Sequence, residues 1–240
     1  MKDRFIATTD DTLRLLDELL DGRDGGWWDG FFADRARPIP FFVKWPDENL
    51  LEWVDQGRLP SGRVLELGSG HGRNAVFLAG RGHRVDAVDF SAEAVSWAKE
   101  QARAAGVVVS FQCSSIFDAE IAEGAYDVVY DSGCFHHLAP HRRPAYVELV
   151  RRALKPGGRF GLVCFRPEGG GDYTDRQVYE RRSLGGGLGY SEEQLRTLWD
   201  AGSFSVDELR AMRAQPDGGP AFGVDFLWAL LATKEARESG

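Results

Sequence analysis

The sequence predicts an α/β fold: a mostly parallel sheet with helices on both faces, closed by an antiparallel hairpin. Three observations predict it. From residue 64 onward, apolar runs of strand length alternate with amphipathic helical stretches, the signature of βαβ units. The strand runs are apolar almost throughout, as strands buried on both faces must be. Near the C-terminus two further apolar runs are joined by the short link Gln215-Pro216-Asp217-Gly218-Gly219-Pro220, which suits an antiparallel pair.

In chain order, Asp11 to Asp21 reads as an amphipathic helix, with Leu13, Leu16 and Leu20 beside Leu15 and Leu19, and Gly22 as its stop signal. Gly25 to Trp45 follows as an aromatic, Gly-rich stretch without helical or strand periodicity: Trp27-Trp28, Phe31-Phe32, then Pro38-Ile39-Pro40-Phe41-Phe42. A second helix runs from Asp47 to Gln56, closed by Gly57. Strands are expected at Val64–Leu67, Val85–Val88, Val107–Gln112, Tyr126–Tyr130 and Arg159–Phe165. Helices are expected at Arg73–Arg81, Ser91–Ala105 and Pro140–Leu154, with Lys155-Pro156-Gly157-Gly158 turning into the fifth strand. Ser191 with Gln194 forms a capping box before another helix, and Phe204–Arg213 and Phe222–Thr233 form the closing hairpin.

The 240 residues are 43% hydrophobic, enough for one substantial core, and no composition shift divides them. One domain over 1–240 is expected, with 1–46 as an N-terminal helix and aromatic lid segment within it. A net charge of −8 and scattered cations disfavour nucleic acid as a partner. Cys113, Cys134 and Cys164 lie far apart with no C-x-x-C, which fits reduced thiols in a cytoplasmic protein. Met1-Lys2-Asp3-Arg4 begins no apolar leader, and no run is long enough to span a membrane. Oligomeric state is left open.

The strongest motif is Val64-Leu65-Glu66-Leu67-Gly68-Ser69-Gly70-His71-Gly72-Arg73-Asn74, a strand running through a Gly-rich turn into a helix. Glycines let a ligand approach the backbone, and the helix N-terminus favours a negative group. A dinucleotide fingerprint would be G-x-G-x-x-G; here the third glycine comes one place early, at Gly72, and Arg73 stands where the last would be. Asp89 closes the next strand, where a carboxylate accepts hydrogen bonds from ribose hydroxyls. Together these describe a nucleoside ligand without a diphosphate, and S-adenosylmethionine fits.

The segment ELGSGHGRNAVFLAGRGHRVDAVDFS resembles motif I and post-I of the class I S-adenosylmethionine-dependent methyltransferases. YDVVYDSGCFHHLAPHRRPAYVELVRRALKPGGRFGLVCF resembles their fourth and fifth strands with the intervening helix. Within that superfamily the chain is most similar to small-molecule enzymes of the thiol, thiopurine and tellurite type. The resemblance implies a Rossmann-like, seven-stranded sheet with the cofactor, and its product S-adenosylhomocysteine, across the ends of the first four strands. Glu66, Gly68, Ser69 and Gly70 would line the methionine and ribose parts, Asp89 the ribose hydroxyls, and Phe90 the adenine. Ser115 stands where the family commonly has an Asp near the adenine amino group, so the backbone near Ile116 is an alternative contact.

In this architecture the methyl group faces the residues after the fourth strand: Asp131, Ser132, Gly133, Cys134, Phe135, His136 and His137. These lack the Asn/Asp-Pro-Pro-Tyr type motif of DNA and protein amide methyltransferases. His136, His137 and Asp131 are the candidate catalytic groups, each His also having a purely structural reading as a cap or loop contact. His136, His137 and His141 lack the carboxylates or thiolates that would complete a metal site, so no metal is expected. Trp27, Trp28, Phe31, Phe41, Trp45 and Cys134 are assigned to the acceptor and its cover, as a water-excluding lid or a fixed hydrophobic plug. Pro167–Gly189, with its two glycine triplets, is a second candidate cover; its Arg166, Arg176, Arg181 and Arg182 either meet an anionic acceptor or are solvated. The expected function is methyl transfer to S, N or O of a small molecule. Non-methylating chemistry such as cyclisation, or a non-catalytic regulatory role, remains compatible with the same pocket.

Overall fold

The computed structural model describes residues 5–20 and 25–236. Asp21 and Gly22, read above as the end of the first helix, and Met1 to Arg4 lie outside them. α1 spans Thr9–Glu18 and starts earlier than expected. Thr8 Oγ1 accepts from Asp11 N–H (3.1 Å) and Asp11 Oδ2 from Thr8 N–H (2.9 Å), a capping box on the opening turn.

The order after it is α2 (Gly25–Ala33), α3 (Glu48–Asp55), β1 (Arg63–Leu67), α4 (Arg73–Gly80), β2 (Arg84–Asp89), α5 (Ala92–Ala105) and β3 (Val109–Cys113). Then come β4 (Tyr126–Ser132), α6 (Arg143–Ala153), β5 (Leu154–Phe165), α7 (Asp175–Arg181), α8 (Glu192–Ala201), β6 (Phe204–Ala211) and β7 (Leu227–Lys234). The sheet is seven-stranded in the order β3-β2-β1-β4-β5-β7-β6. β1 to β5 pair in parallel, and β7 runs antiparallel between β5 and β6. The strand order reverses between β1 and β4, and an open α/β sheet leaves a crevice for ligands beyond the strand ends there.

Each face of the sheet carries its own apolar cluster. On one, Leu50 and Trp53 of α3 and Ala75 and Leu78 of α4 pack over Val64, Val128 and Val163. On the other, Tyr146 and Val150 of α6 and Leu195 and Trp199 of α8 pack over Leu65, Val129 and Leu162. The expected Ser191–Gln194 box caps α8, with Ser191 Oγ accepting from Gln194 N–H.

Besides α1, four elements differ from the sequence reading. β5 begins at Leu154, so Lys155-Pro156-Gly157-Gly158, expected as a turn, lies within the strand. The aromatic stretch opens with a helix, α2, although Gly25, Gly26 and Gly30 are poor helix formers; its aromatic face packs on the sheet ends and overrides propensity. The Pro167–Gly189 segment contains α7, capped by a box between Thr174 and Gln177. β7 begins at Leu227, not Phe222. Phe222 instead pairs with the entrance to α3, its N–H donating to Pro46 O (2.7 Å) and its carbonyl accepting from Glu48 N–H (2.8 Å). The apparent alternation of Phe222, Val224 and Phe226 thus belongs to a long link that threads back under α3.

Candidate active site

The turn after β1 is left-handed at Gly68 (φ 65°), Gly70 (φ 52°) and Gly72 (φ 83°), a conformation that disfavours any side chain. Two of these glycines also permit close packing. A Cβ on Gly68 would lie 2.4 Å from Cys134 Cβ, and one on Gly72 2.8 Å from Ala98 Cβ. The turn is therefore seated against the post-β4 segment on one side and α5 on the other. Ser69 N–H donates to Val88 O (3.0 Å), tying it to β2.

Asp89, at the end of β2, completes this half. Its Oδ2 accepts from Gly70 N–H (2.7 Å) and its Oδ1 from Ser91 N–H (2.9 Å), while burial pushes its pKa up. Phe90 beside it is 48% exposed. The loop after β3 is drawn in by Ser114 N–H on Asp89 O (2.9 Å). Ser115 Oγ there accepts from Phe117 N–H (3.3 Å), and the Ile116 side chain is buried in the core.

Two buried atoms in the turn lack a hydrogen-bond partner: Glu66 Oε2 and Ser69 Oγ. Burial, the largest influence, raises the Glu66 carboxyl to about 8 against the opposing pull of Arg73. A fully buried carboxyl with an unsatisfied oxygen is costly unless a ligand supplies a donor. This fits the amino end of an amino-acid ligand.

Below the turn lies a buried polar network. Arg73 donates to Asp47 Oδ1 (2.6 Å), Ser132 Oγ (3.2 Å) and Trp45 O (3.3 Å), with its guanidinium 4.6 Å above the Phe222 ring. Asn74 and the Tyr130 hydroxyl both donate to Asp47 Oδ2 (2.9 and 2.7 Å). It anchors the N-terminus of α4, and hence the turn, to β4 and α3.

α2 crosses above these elements. Asp29 Oδ1 accepts from Ser91 Oγ (2.6 Å) and Glu93 N–H (3.2 Å), capping α5, and Arg35 pairs with Glu100 (2.6 Å). A Cβ on Gly70 would sit 3.4 Å from the Phe32 ring. Trp27 stacks on Phe31 (5.5 Å), Phe31 on Phe41 (6.1 Å), and Phe32 on Phe42 (5.6 Å). Phe42 then meets Trp97 of α5 (5.0 Å). Trp28 reaches the other end of the cleft and meets His137 edge-on at 4.9 Å. Trp45 stands apart from this stack, its ring under Lys44 (4.6 Å).

After β4 a tight 3-10 turn spans Phe135–His137. Asp131 Oδ1 accepts from Cys134 N–H (2.9 Å), and Oδ2 from Phe135 N–H (3.1 Å) and the Tyr146 hydroxyl (2.5 Å). Burial outweighs these donors and raises its carboxyl to about 7. His136 is buried against Phe165, ring centroids 3.8 Å apart, and its Nδ1 accepts from Phe165 N–H (3.2 Å). Burial pushes the Cys134 thiol well up, so it is a packing group rather than a nucleophile.

Several contributors were not singled out in the sequence. Asp29, Phe32 and Phe42 fix the aromatic cover. His71 donates from Nε2 to Val43 O (2.9 Å), and burial lowers its pKa to about 4, so it is neutral. Trp28, Phe31 and Phe32 do carry helical i, i+3, i+4 spacing, a signal masked by Gly30 between them and Gly25 and Gly26 before them. Among the described residues, no three His, Cys, Asp or Glu come together to hold a metal, and no helix is long and apolar enough to cross a membrane.

A parallel sheet whose order reverses between β1 and β4, a Gly-rich turn at that switch point and a carboxylate one strand later are the arrangement in which open α/β folds take nucleoside ligands. Residues 64–158, from β1 into the start of β5, match the family described as a methyltransferase domain. It is 30% identical over 131 residues to 2-heptyl-1-hydroxyquinolin-4(1H)-one methyltransferase of Mycobacteroides abscessus, covering 54% of this chain and 57% of that one. It is 31% identical over 164 residues to an S-adenosyl-L-methionine-dependent Diels-Alderase of Talaromyces variabilis, covering 66% and 53%. Both matches thus span less than two thirds of the relative. A solved structure from work on the conversion of a disulfide bond into a thioacetal group during echinomycin biosynthesis superposes with a TM-score of 0.68, at 23% identity, covering 90% of this chain and 94% of that one. That likeness is one of fold.

Proposed function

We propose that this protein transfers the methyl group of S-adenosylmethionine to a sulfur, nitrogen or oxygen of a small molecule. The observation that carries the reading is the pairing of Asp89 with the Gly70 amide at the switch point, beside the unsatisfied Glu66 Oε2 and Ser69 Oγ.

Asp89 would hold the ribose hydroxyls, Phe90 the adenine, and Glu66 with Ser69 the amino end of the methionine part; Ser115 and Ile116 edge the adenine side. Bound there, the cofactor supplies a methyl on a sulfonium, an electrophile that already has a good leaving group. The chain's own task is alignment and exclusion of water. Phe32 over Gly70 and Trp28 on His137 do the excluding. His136 already accepts a backbone N–H on Nδ1, and Asp131 is engaged by two amides and a hydroxyl. Both position the turn, and His137, edge-on to Trp28 at 4.9 Å, would take a proton from an acidic acceptor.

The test is incubation with methyl-labelled cofactor and a panel of thiols, phenols and N-hydroxy compounds. Label should pass to at least one, and His137→Asn should slow transfer at least tenfold with S-adenosylhomocysteine affinity unchanged. A panel that binds without gaining label would favour a second reading, motivated by the Diels-Alderase relative: sulfonium-dependent chemistry in which the methyl stays on the cofactor.

A further inference from the structure

We infer that α2 is a gate over the donor site and that Asp29 is its latch, a positioning residue whose release from the first turn of α5 lets the donor enter and leave. This rests on the donor site proposed above, because the gate is defined by what it covers.

Gly25, Asp29 and Phe32 stand at i, i+4 and i+7 of α2 and so share one helix face. Each meets a different part of that site. A Cβ on Gly25 would lie 3.7 Å from the Phe90 ring, Asp29 sits on Ser91, and a Cβ on Gly70 would lie 3.4 Å from the Phe32 ring. α2 therefore reaches from the residue proposed for the adenine to the Gly-rich turn proposed for the methionine part.

The latch is polar. Ser91 Oγ caps α5 by accepting from Ala94 N–H (3.1 Å), and Asp29 Oδ1 takes the neighbouring Glu93 N–H (3.2 Å). A carboxylate is favoured at a helix N-terminus, and the Ser91 hydroxyl, followed by the Glu93 amide, holds the Asp29 carboxyl below its usual range. Ser91 also gives its own N–H to Asp89 Oδ1 (2.9 Å) while its hydroxyl goes to Asp29 (2.6 Å). One buried serine thus ties the gate to the carboxylate proposed for the ribose. A second contact, Arg35 on Glu100 (2.6 Å) with its guanidinium over Trp97 (5.2 Å), joins the exposed side of α5.

The rest of the segment is built to swing. α3, of similar length, buries Leu50 and Trp53 completely, whereas α2 buries only Phe32 among its nine residues and carries three glycines. Phe31 stacks on Phe41 and Phe32 on Phe42, so these rings move as one body. The far end of that body is pinned: Phe42 meets Trp97 (5.0 Å) and His71 (5.7 Å), and Val43 O accepts from His71 Nε2 (2.9 Å). The segment is hinged at Phe42 and Val43 and latched at Asp29, and solvent-reached ionic contacts break and re-form readily.

The experiment follows S-adenosylhomocysteine association by stopped-flow tryptophan fluorescence at rising concentration, after calorimetry has measured its equilibrium affinity. In the wild type the observed rate is expected to level off at the rate of gate opening. Asp29→Ala should raise that plateau at least fivefold with affinity changed less than threefold. Asp29→Asn, which keeps the accepting oxygen, should return it to within twofold of the wild type. Loss of a purely structural cap would lower thermal stability and leave the plateau where it was. Should Asp29→Ala misfold, Arg35→Ala, which breaks the second contact, should raise the plateau at least twofold. A wild-type rate that rises in proportion to concentration throughout, or a plateau that no folded variant raises, overturns the inference and leaves the donor reading standing. Absence of saturable binding in the calorimeter overturns the donor reading, and this inference with it.

Discussion

At the ends of β1 and β2 the surface of the proposed donor site is largely main chain: three left-handed glycines, the Gly70 amide, and one carboxylate that holds it. At the ends of β4 and β5 the surface is side chain: His136, His137, Phe165 and Tyr173, with Trp28 brought in from α2. The first is assembled from consecutive residues and a single neighbouring strand. The second is assembled from four segments scattered through the chain. A main-chain site recognises a ligand by fixed amide geometry and tolerates little change. A ring-lined site can be re-shaped by substitution, so acceptor choice should be far easier to alter than donor binding.

The largest effect should come from Glu66. In the unfolded chain its carboxyl ionises near 4.5, whereas the folded pKa is about 8. The native state thus holds a proton between those values that the unfolded state has lost, so stability is full below pH 4.5 and declines as pH rises through 8. At about 1.4 kcal/mol per unit, urea unfolding of the apo protein should lose several kcal/mol across that window. Glu66→Gln should flatten about half of the slope, because Asp131, raised from 3.8 to about 7, contributes a comparable share that remains. An unchanged slope in Glu66→Gln would mean the donor turn holds no buried neutral carboxyl.

Next, Asp89→Ala should cost about 1–3 kcal/mol of S-adenosylhomocysteine affinity by calorimetry, the price of unpairing polar groups, while His137→Asn changes that affinity little. Equal losses in both variants would dissolve the distinction between the two ends. A smaller effect is expected for Asp29→Ala, which removes the cap from α2 to α5. Thermal unfolding should show about 1 kcal/mol, and kcat/KM for the acceptor should fall more than cofactor affinity does. Smallest of all, Arg176→Ala breaks an exposed i,i+4 pair with Glu180 and should shift stability by about 0.5 kcal/mol or less. A larger shift would show that α7 depends on surface charge rather than on buried Val178.

The same contrast explains what was legible beforehand. The runs of β1, β2 and β4, the glycine turn, Asp89 and the Ser191 cap are local patterns, and the structure has them at the expected places. Helix α2 was hidden because Gly25, Gly26 and Gly30 lower its propensity, and its stability comes from rings and from Asp29 reaching α5. The true start of β7 was hidden because Phe222 pairs with the chain beside Asp47, a long-range choice that alternation cannot reveal. Asp47, Arg73 and Tyr130 form one network although their positions are 26 to 83 residues apart. The engagement of Asp131 and His136 by backbone amides likewise emerges only when the turn after β4 is closed.

The central claim is that the β1 turn and Asp89 together cradle an adenosyl donor. Titrating the folded protein with S-adenosylhomocysteine, with tryptophan fluorescence and heat read in parallel, tests it most directly. Saturable binding at one site per chain is predicted, with a fluorescence change from Trp28 and Trp97 that Trp28→Phe reduces. Absence of saturable heat and of any spectral change, in protein shown to be folded, would contradict the account.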